Sequence, residues 1–178
     1  FFKDFDVAVI GSGIVGLTAA MHVKTLDPAL RVVVLERGAL PAGASTRNAG
    51  FACYGSMTEL LDDMTRMSED EVLALVEKRW RGLQRLRALV GDANMDFQML
   101  GGYEMFTDDD EEVFQECAAR IPDFNQKTGA ITRHPETYKV ADDQLPRFGF
   151  RGVNHLILNQ PEGQVHTGKM MAALFRRT

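Results

Sequence analysis

A short apolar run, a glycine-rich turn, a helix, a second apolar run and an acid follow one another within residues 7–36, and few folds accommodate that order. Val7-Ala8-Val9-Ile10 is a continuous apolar tetrad, the pattern of a parallel strand covered on both faces. Gly11-Ser12-Gly13-Ile14-Val15-Gly16 comes next, then Leu17 to Thr25, an Ala-containing stretch that reads as a helix and ends near Asp27-Pro28. Arg31-Val32-Val33-Val34-Leu35-Glu36 reads as a second buried strand closing on a carboxylate.

Each part of this unit has a physical task. Gly11 permits the tight turn out of the strand, Gly13 lets the backbone approach a pyrophosphate, and Gly16 lets the helix pack on the sheet. The backbone N–H groups around Ser12, Ile14 and Val15, with the helix dipole behind them, favour an anion. Glu36 lies at the end of the second strand, where its carboxylate can accept hydrogen bonds from both ribose hydroxyls of an adenosine and disfavours a 2′-phosphate. The unit therefore predicts a dinucleotide site and argues against NADP. By itself it does not separate NAD from FAD.

A second glycine-rich stretch follows: Leu35-Glu36-Arg37-Gly38, then Gly43-Ala44-Ser45-Thr46-Arg47-Asn48-Ala49-Gly50-Phe51. Ser45 and Thr46 can cap a helix, and Asn48 can bridge backbone and ligand. Taken with Val9 to Leu17, this stretch resembles the D-amino-acid oxidase superfamily of FAD-dependent oxidoreductases, in its glycine oxidase and D-amino-acid dehydrogenase branch. Glu162-Gly163-Gln164-Val165-His166-Thr167-Gly168-Lys169-Met170 is a weaker echo of the same family. The resemblance implies FAD as cofactor, with Gly11, Gly13 and Gly16 around its pyrophosphate. It implies that Glu36 holds the ribose, with Arg37 beside the adenine. Ser45, Thr46 and Arg47 would line the pyrophosphate and ribityl chain, and Asn48, Ala49 and Gly50 would lie toward the isoalloxazine ring. It also implies oxidation of an amine or small amino acid by hydride transfer to flavin N5. The alternatives are a non-catalytic nucleotide-binding fragment and an NAD-dependent dehydrogenase on the same fold. The catalytic residues stay unassigned.

The expected fold class is α/β: a Rossmann-type FAD-binding domain with part of an inserted α+β substrate domain, truncated. The expected divisions are residues 1–56 for the FAD-binding unit, 57–90 for a helical segment, 91–160 for a partial substrate-domain sheet and helix, and 161–178 for a return helix. Glu59 to Met67 look helical. Ser68-Glu69-Asp70-Glu71 has capping-box spacing before an apolar stripe of Val72, Val76, Trp80, Leu83, Leu86 and Val90. Trp80 on that stripe reads as core. Phe97 to Phe106, broken by Gly101-Gly102, reads as one or two strands, Ile131 to Val140 and Val153 to Leu158 read as further strands, and the acidic run from Asp108 opens a helix from Glu111 to Lys127. His22, His134, His155 and His166 form no ligand spacing, so no metal site is expected.

Composition limits the remaining function classes. The 178-residue chain is 45% hydrophobic with a net charge of −5 and a pI near 5.4, which argues against nucleic acid as the main partner. Cys53 and Cys117 offer neither a disulfide framework nor a zinc pattern. No apolar run approaches the ~20 residues of a membrane helix, and Phe1 to Asp6 lack a signal-peptide layout. A cytoplasmic location and a small-molecule partner are the expectations. The chain reads as an N-terminal portion of a longer enzyme, and an open sheet edge would favour self-association.

Overall fold

In the computed structural model residues 4–178 are described, so the signal-peptide reading of Phe1, Phe2 and Lys3 lies outside the described residues. The elements run β1 (Val7–Ile10), α1 (Ile14–Leu26), β2 (Val32–Leu35), β3 (Phe51–Ala52), α2 (Met57–Met64), α3 (Glu69–Val90), β4 (Gly102–Phe106), α4 (Glu111–Thr132), β5 (Tyr138–Val140), α5 (Leu145–Phe148), β6 (His155–Asn159), β7 (Gly163–Gln164) and α6 (Thr167–Phe175). The fold is mixed α/β. Residues 4–50, 87–97 and 165–178 make one unit, and 51–86 with 98–164 make the other.

In the first unit β1 and β2 pair in parallel, with Val7 opposite Val32 and Ile10 opposite Leu35. Parallel neighbours need a crossover, and α1 supplies it, burying Leu17 and Ala20. The helix begins at Ile14, three residues before the sequence expectation, because the end of the glycine motif is already helical. Neither strand is covered on both faces. Ala8 is exposed and Ile10 is 79% exposed. α1 packs on the sheet, and in β1 the residues that alternate with the half-buried Val7 and Val9 stay uncovered. The α6 helix packs on α1 and buries Met170, Met171, Ala173 and Leu174. Lys169 anchors it through an ion pair to Asp96 at 2.5 Å.

The second unit is built on an antiparallel sheet in the order β4-β6-β5. Its register sets Phe106 opposite His155 and Tyr138 opposite Asn159. Tyr54, Met57, Leu60, Val72, Val76, Phe106, Phe114, Phe124, Tyr138 and Ile157 form its core. Each large apolar side chain buried there contributes about 1.5–3 kcal/mol. Ser68 and Glu71 form the capping box at the start of α3, with Ser68 Oγ donating to Glu71 at 2.7 Å. Trp80 packs against the core, its ring edge-on to Tyr54 at 5.3 Å. Cys117 is buried in the core, and burial pushes its thiol up to about 12.

Polar side chains tie this unit across long stretches of chain. Tyr54 Oη donates to Asn159 Oδ1 at 2.5 Å, and Tyr138 Oη donates to the Gly55 carbonyl at 2.8 Å. Glu104 accepts from Met57 N at 2.8 Å and Thr58 N at 3.1 Å, at the N-terminus of α2.

One expected strand divides. The Ile131 to Val140 run is helical through Thr132, and only Tyr138–Val140 is a strand. Ile131 packs on the core as part of the α4 face. Thr132 Oγ1 bonds back to the Thr128 carbonyl at 3.0 Å, and Arg133 ends the helix with φ 62°. The Phe97 to Phe106 run breaks at the glycine pair, with a bridge between Gln98 and Gln164 before it and β4 after it.

Candidate cofactor site

The site begins where β1 ends. Gly11 N–H donates to the Leu35 carbonyl at 2.7 Å, pinning the glycine turn to the end of β2. A Cβ at Gly16 would overlap the Gly11 carbonyl oxygen, so turn and helix meet at a distance only glycine allows. The first turn of α1 presents the backbone N–H groups of Ile14, Val15 and Gly16, which have no acceptor within the helix. No acid lies in that turn. Ser45 Oγ accepts from Ile14 N at 3.0 Å, so a residue 31 positions away caps α1. A side chain at Gly13 would meet that oxygen at 3.2 Å.

Glu36 follows β2 and turns back over the glycine loop. Its Oε2 accepts from Ser12 N at 2.9 Å and from Ser12 Oγ at 2.8 Å, and its Oε1 accepts from Gly38 N at 3.2 Å. The Ser12 backbone N–H, then the Ser12 hydroxyl and Gly38 N–H, hold its carboxyl at about 2, against an ordinary 4.5. The group is therefore ionised at neutral pH, with lone pairs left for further donors.

The second glycine-rich stretch is turns rather than a helix start. Thr46 N and Arg47 N both donate to the Gly43 carbonyl, at 3.0 and 3.1 Å. Ser45 therefore caps α1 instead of a helix of its own. Thr46 Oγ1 donates to the Pro41 carbonyl at 3.2 Å. Asn48 bridges backbone to backbone, donating to the Ala44 carbonyl at 2.8 Å and accepting from Gly50 N at 2.9 Å. Gly50 has φ 78°, and a Cβ there would overlap the Val165 carbonyl oxygen. Ala49 is exposed beside it.

Gly11, Gly13, Glu36, Arg37, Ser45 and Arg47 share the wall of one cleft of about 460 Å³. Ser12 is buried against Glu36, while Ile14, Val15, Gly16, Thr46, Asn48, Ala49 and Gly50 do not line that cleft. Arg37 and Arg47 are exposed cations at its edge, and such planar donors match phosphate oxygens. Backbone amides, a helix N-terminus, two arginines and an ionised acid suit a diphosphate joined to a ribose. Glu36 and Ser12 also border a larger groove of about 590 Å³, whose other lining includes Leu17, Ala20, Val34 and Leu40. That groove is mainly apolar, and its two cations are engaged, Lys24 by the Pro28 and Leu30 carbonyls and Arg31 by Asp6.

Two functional partners were not legible as such. Ser12 lies between two motif glycines, and its role as the anchor of Glu36 follows only from the turn. Ser45 acts on α1 across 31 residues, a pairing no local pattern encodes. The four histidines are occupied structurally. His166 Nδ1 accepts from Lys169 N at 3.3 Å, capping α6, and His134 lies edge-on to Trp80 at 6.3 Å. His22 Nδ1 is 2.9 Å from the Thr18 carbonyl, and His155 sits between Asp142 and Glu111 at 2.7 and 3.2 Å. Among the described residues no cluster of His, Cys, Asp and Glu is arranged to hold a metal, and no helix is long and apolar enough to cross a membrane.

A family model described as FAD dependent oxidoreductase matches residues 6–178. Among solved structures, glycine oxidase from Bacillus cereus superposes with a TM-score of 0.60 at 21% identity, over 98% of this chain and 43% of that one. L-amino acid deaminase from Proteus vulgaris gives 0.61 at 21% identity, over 99% of this chain and 39% of that one. Over 42 residues, 24% of this chain and 7% of the other, the sequence is 55% identical to L-aspartate oxidase 1 of Ralstonia nicotianae. The chain thus spans less than half the length of the structures it matches.

Proposed function

The chain belongs to the FAD-dependent oxidoreductase family matched over nearly its whole length, and from that premise we propose that it carries the dinucleotide-binding part of an enzyme oxidising an amine or small amino acid. The observation that carries this reading is the cleft shared by the glycine turn, Glu36 and the Ser45–Arg47 turn. The family's cofactor is FAD, which resolves the choice the glycine motif leaves open.

In this reading Gly11, Gly13 and Gly16 surround the pyrophosphate, Gly11 and Gly13 by leaving its path clear and Gly16 by letting α1 close on the turn. The N-terminal dipole of α1 and the Arg47 guanidinium neutralise it. Ser12 holds the Glu36 carboxylate in place to accept the ribose hydroxyls, with Arg37 beside the adenine. Ser45 and Thr46 line the run toward the ribityl chain, and the Asn48-Ala49-Gly50 turn steers the chain close to the ring system. FAD held by these residues would supply the electron sink for loss of hydride from the carbon that bears the amine, and water would hydrolyse the resulting imine to a carbonyl and ammonia.

The test is anaerobic spectroscopy of the flavin-loaded protein. Bleaching of the flavin bands by an amino acid, lost in Glu36→Ala through lost cofactor, is the expected result. Tight flavin binding without bleaching by any amine would leave a nucleotide-binding protein and overturn the enzymatic part.

A further inference from the structure

The second unit buries an acid that the cofactor reading does not use. Glu162 lies in the turn between β6 and β7 and is 7% exposed. Its Oε1 accepts from Tyr54 N at 3.2 Å, and the Gly55 amide also bonds the carboxyl. A Cβ at Gly102 would overlap Glu162 Oε2, so β4 closes on the carboxyl at a distance only glycine allows. The backbone is fixed as well, Gly101 N donating to the Glu162 carbonyl at 2.9 Å. The side chain is thus held under one short turn, Cys53-Tyr54-Gly55, which follows β3.

The surroundings are poor in positive charge. Among the described residues the titratable groups around Glu162 are Cys53 and Tyr54 of the turn, Glu59 of α2, Arg79 of α3, Glu104 of β4 and Tyr138 of β5. Arg79 is the one cation of this set and is already engaged, donating to Glu59 at 2.7 Å and to the Tyr54 carbonyl at 3.4 Å. Glu104 accepts from Met57 N and Thr58 N. An ionised Glu162 therefore brings a further negative charge into a buried site that holds no counter-ion for it. Burial pushes its carboxyl up to about 7; the Tyr54 and Gly55 amides oppose the rise, and the Glu104 and Glu59 charges add to it.

The turn connects this acid both to water and to the core. Cys53 is exposed at its start, so solvent lies one residue from the amides that Glu162 holds. Tyr54 is fully buried, its ring edge-on to Trp80 at 5.3 Å. A neutral carboxyl still has an oxygen to accept the Tyr54 amide, so the proton leaves the turn seated and removes only the charge.

We propose that Glu162 is a proton switch of the second unit. Protonated, it seats the Cys53-Tyr54-Gly55 turn; ionised, it swings toward water, the turn lifts and Tyr54 shifts against Trp80. The switch rests on the second unit alone and holds whether or not the first unit retains FAD.

Trp80 emission of the native chain, titrated from about pH 5 to about pH 9, reads the switch. The wild type should show one sigmoidal change with its midpoint near the Glu162 value, and Glu162→Gln should show none. His134 also lies edge-on to Trp80, at 6.3 Å, so His134→Gln must keep the change. Glu104→Gln leaves Glu162 in place and removes a like charge, which should move the midpoint to lower pH. Amide exchange at Tyr54 and Gly55 should be faster in the wild type than in Glu162→Gln above the midpoint, and equal below it. No emission change in the wild type, a change retained in Glu162→Gln or one lost in His134→Gln would overturn the proposal. Equal exchange in the two proteins above the midpoint would do the same. An unmoved midpoint in Glu104→Gln would also overturn it, and that variant decides the matter even if Glu162→Gln does not fold.

Discussion

The two units of this chain are held together by different kinds of contact. In the first, the decisive ones involve backbone: Gly11 N–H on the Leu35 carbonyl, the Gly16 approach to Gly11, and Ser12 N–H on Glu36. In the second they are side-chain contacts between segments about a hundred residues apart, such as Tyr54 with Asn159 and Tyr138 with Gly55. A site made from backbone can be written in a short glycine pattern. A core made from distant side chains cannot, and it fails by cavities and lost partners rather than by steric overlap.

The largest expected effect breaks the second unit alone. Phe124 is fully buried in its core, so Phe124→Ala should cost about 3–5 kcal/mol. Denaturant unfolding followed by Trp80 fluorescence, the only tryptophan, measures this. Gly16→Ala attacks the first unit by overlap with the Gly11 carbonyl oxygen. We expect about 1–3 kcal/mol of local destabilisation and loss of FAD retention on desalting, with the Trp80 transition unmoved. Glu104→Gln removes the charge that accepts the amides opening α2, and should cost about 1–2 kcal/mol in the Trp80 assay.

Between pH 5 and 8 acidity should act on the second unit. Burial pushes the Glu162 carboxyl up to about 7, and the Asp142 carboxylate raises His155 above its ordinary value. Both groups bind protons more tightly when folded. Their stabilisation is present below the unfolded values, near 4.5 and 6.5, and is lost as pH rises through the folded ones. In the first unit Asp6, bonded by Arg31, and Glu36 are held at about 2. Their stabilisation is present above their unfolded values and is lost as pH falls toward 2. The Trp80 transition should therefore be more stable at pH 5 than at pH 8, with His155→Gln reducing the slope. Amide exchange at Gly11 should accelerate only in stronger acid. The smallest effect is a gain: Gly82 lies inside α3 with open space where a Cβ would be, so Gly82→Ala should add about 0.5–1 kcal/mol.

The same contrast explains how much could be read from residues alone. The order from β1 to Glu36, the α3 capping box and the apolar stripe with Trp80 are each encoded within a few turns of chain, and the structure has them. The expectation of two-sided burial for β1 and β2 came from composition, which does not say how many neighbours a strand has. Ile131 and Thr132 suit a strand locally but complete the α4 face that packs inward. Ser45 looks like the cap of its own helix because nothing local reveals that α1 lies beside it.

We propose that the glycine turn and Glu36 form the FAD site. Its most direct test is the visible spectrum of the protein after FAD loading and desalting, for the wild type and Gly13→Val, with Trp80 fluorescence as the folding control. Flavin bands should travel with the wild type and be absent from a folded Gly13→Val. Equal flavin in both, or none in a folded wild type, would contradict it.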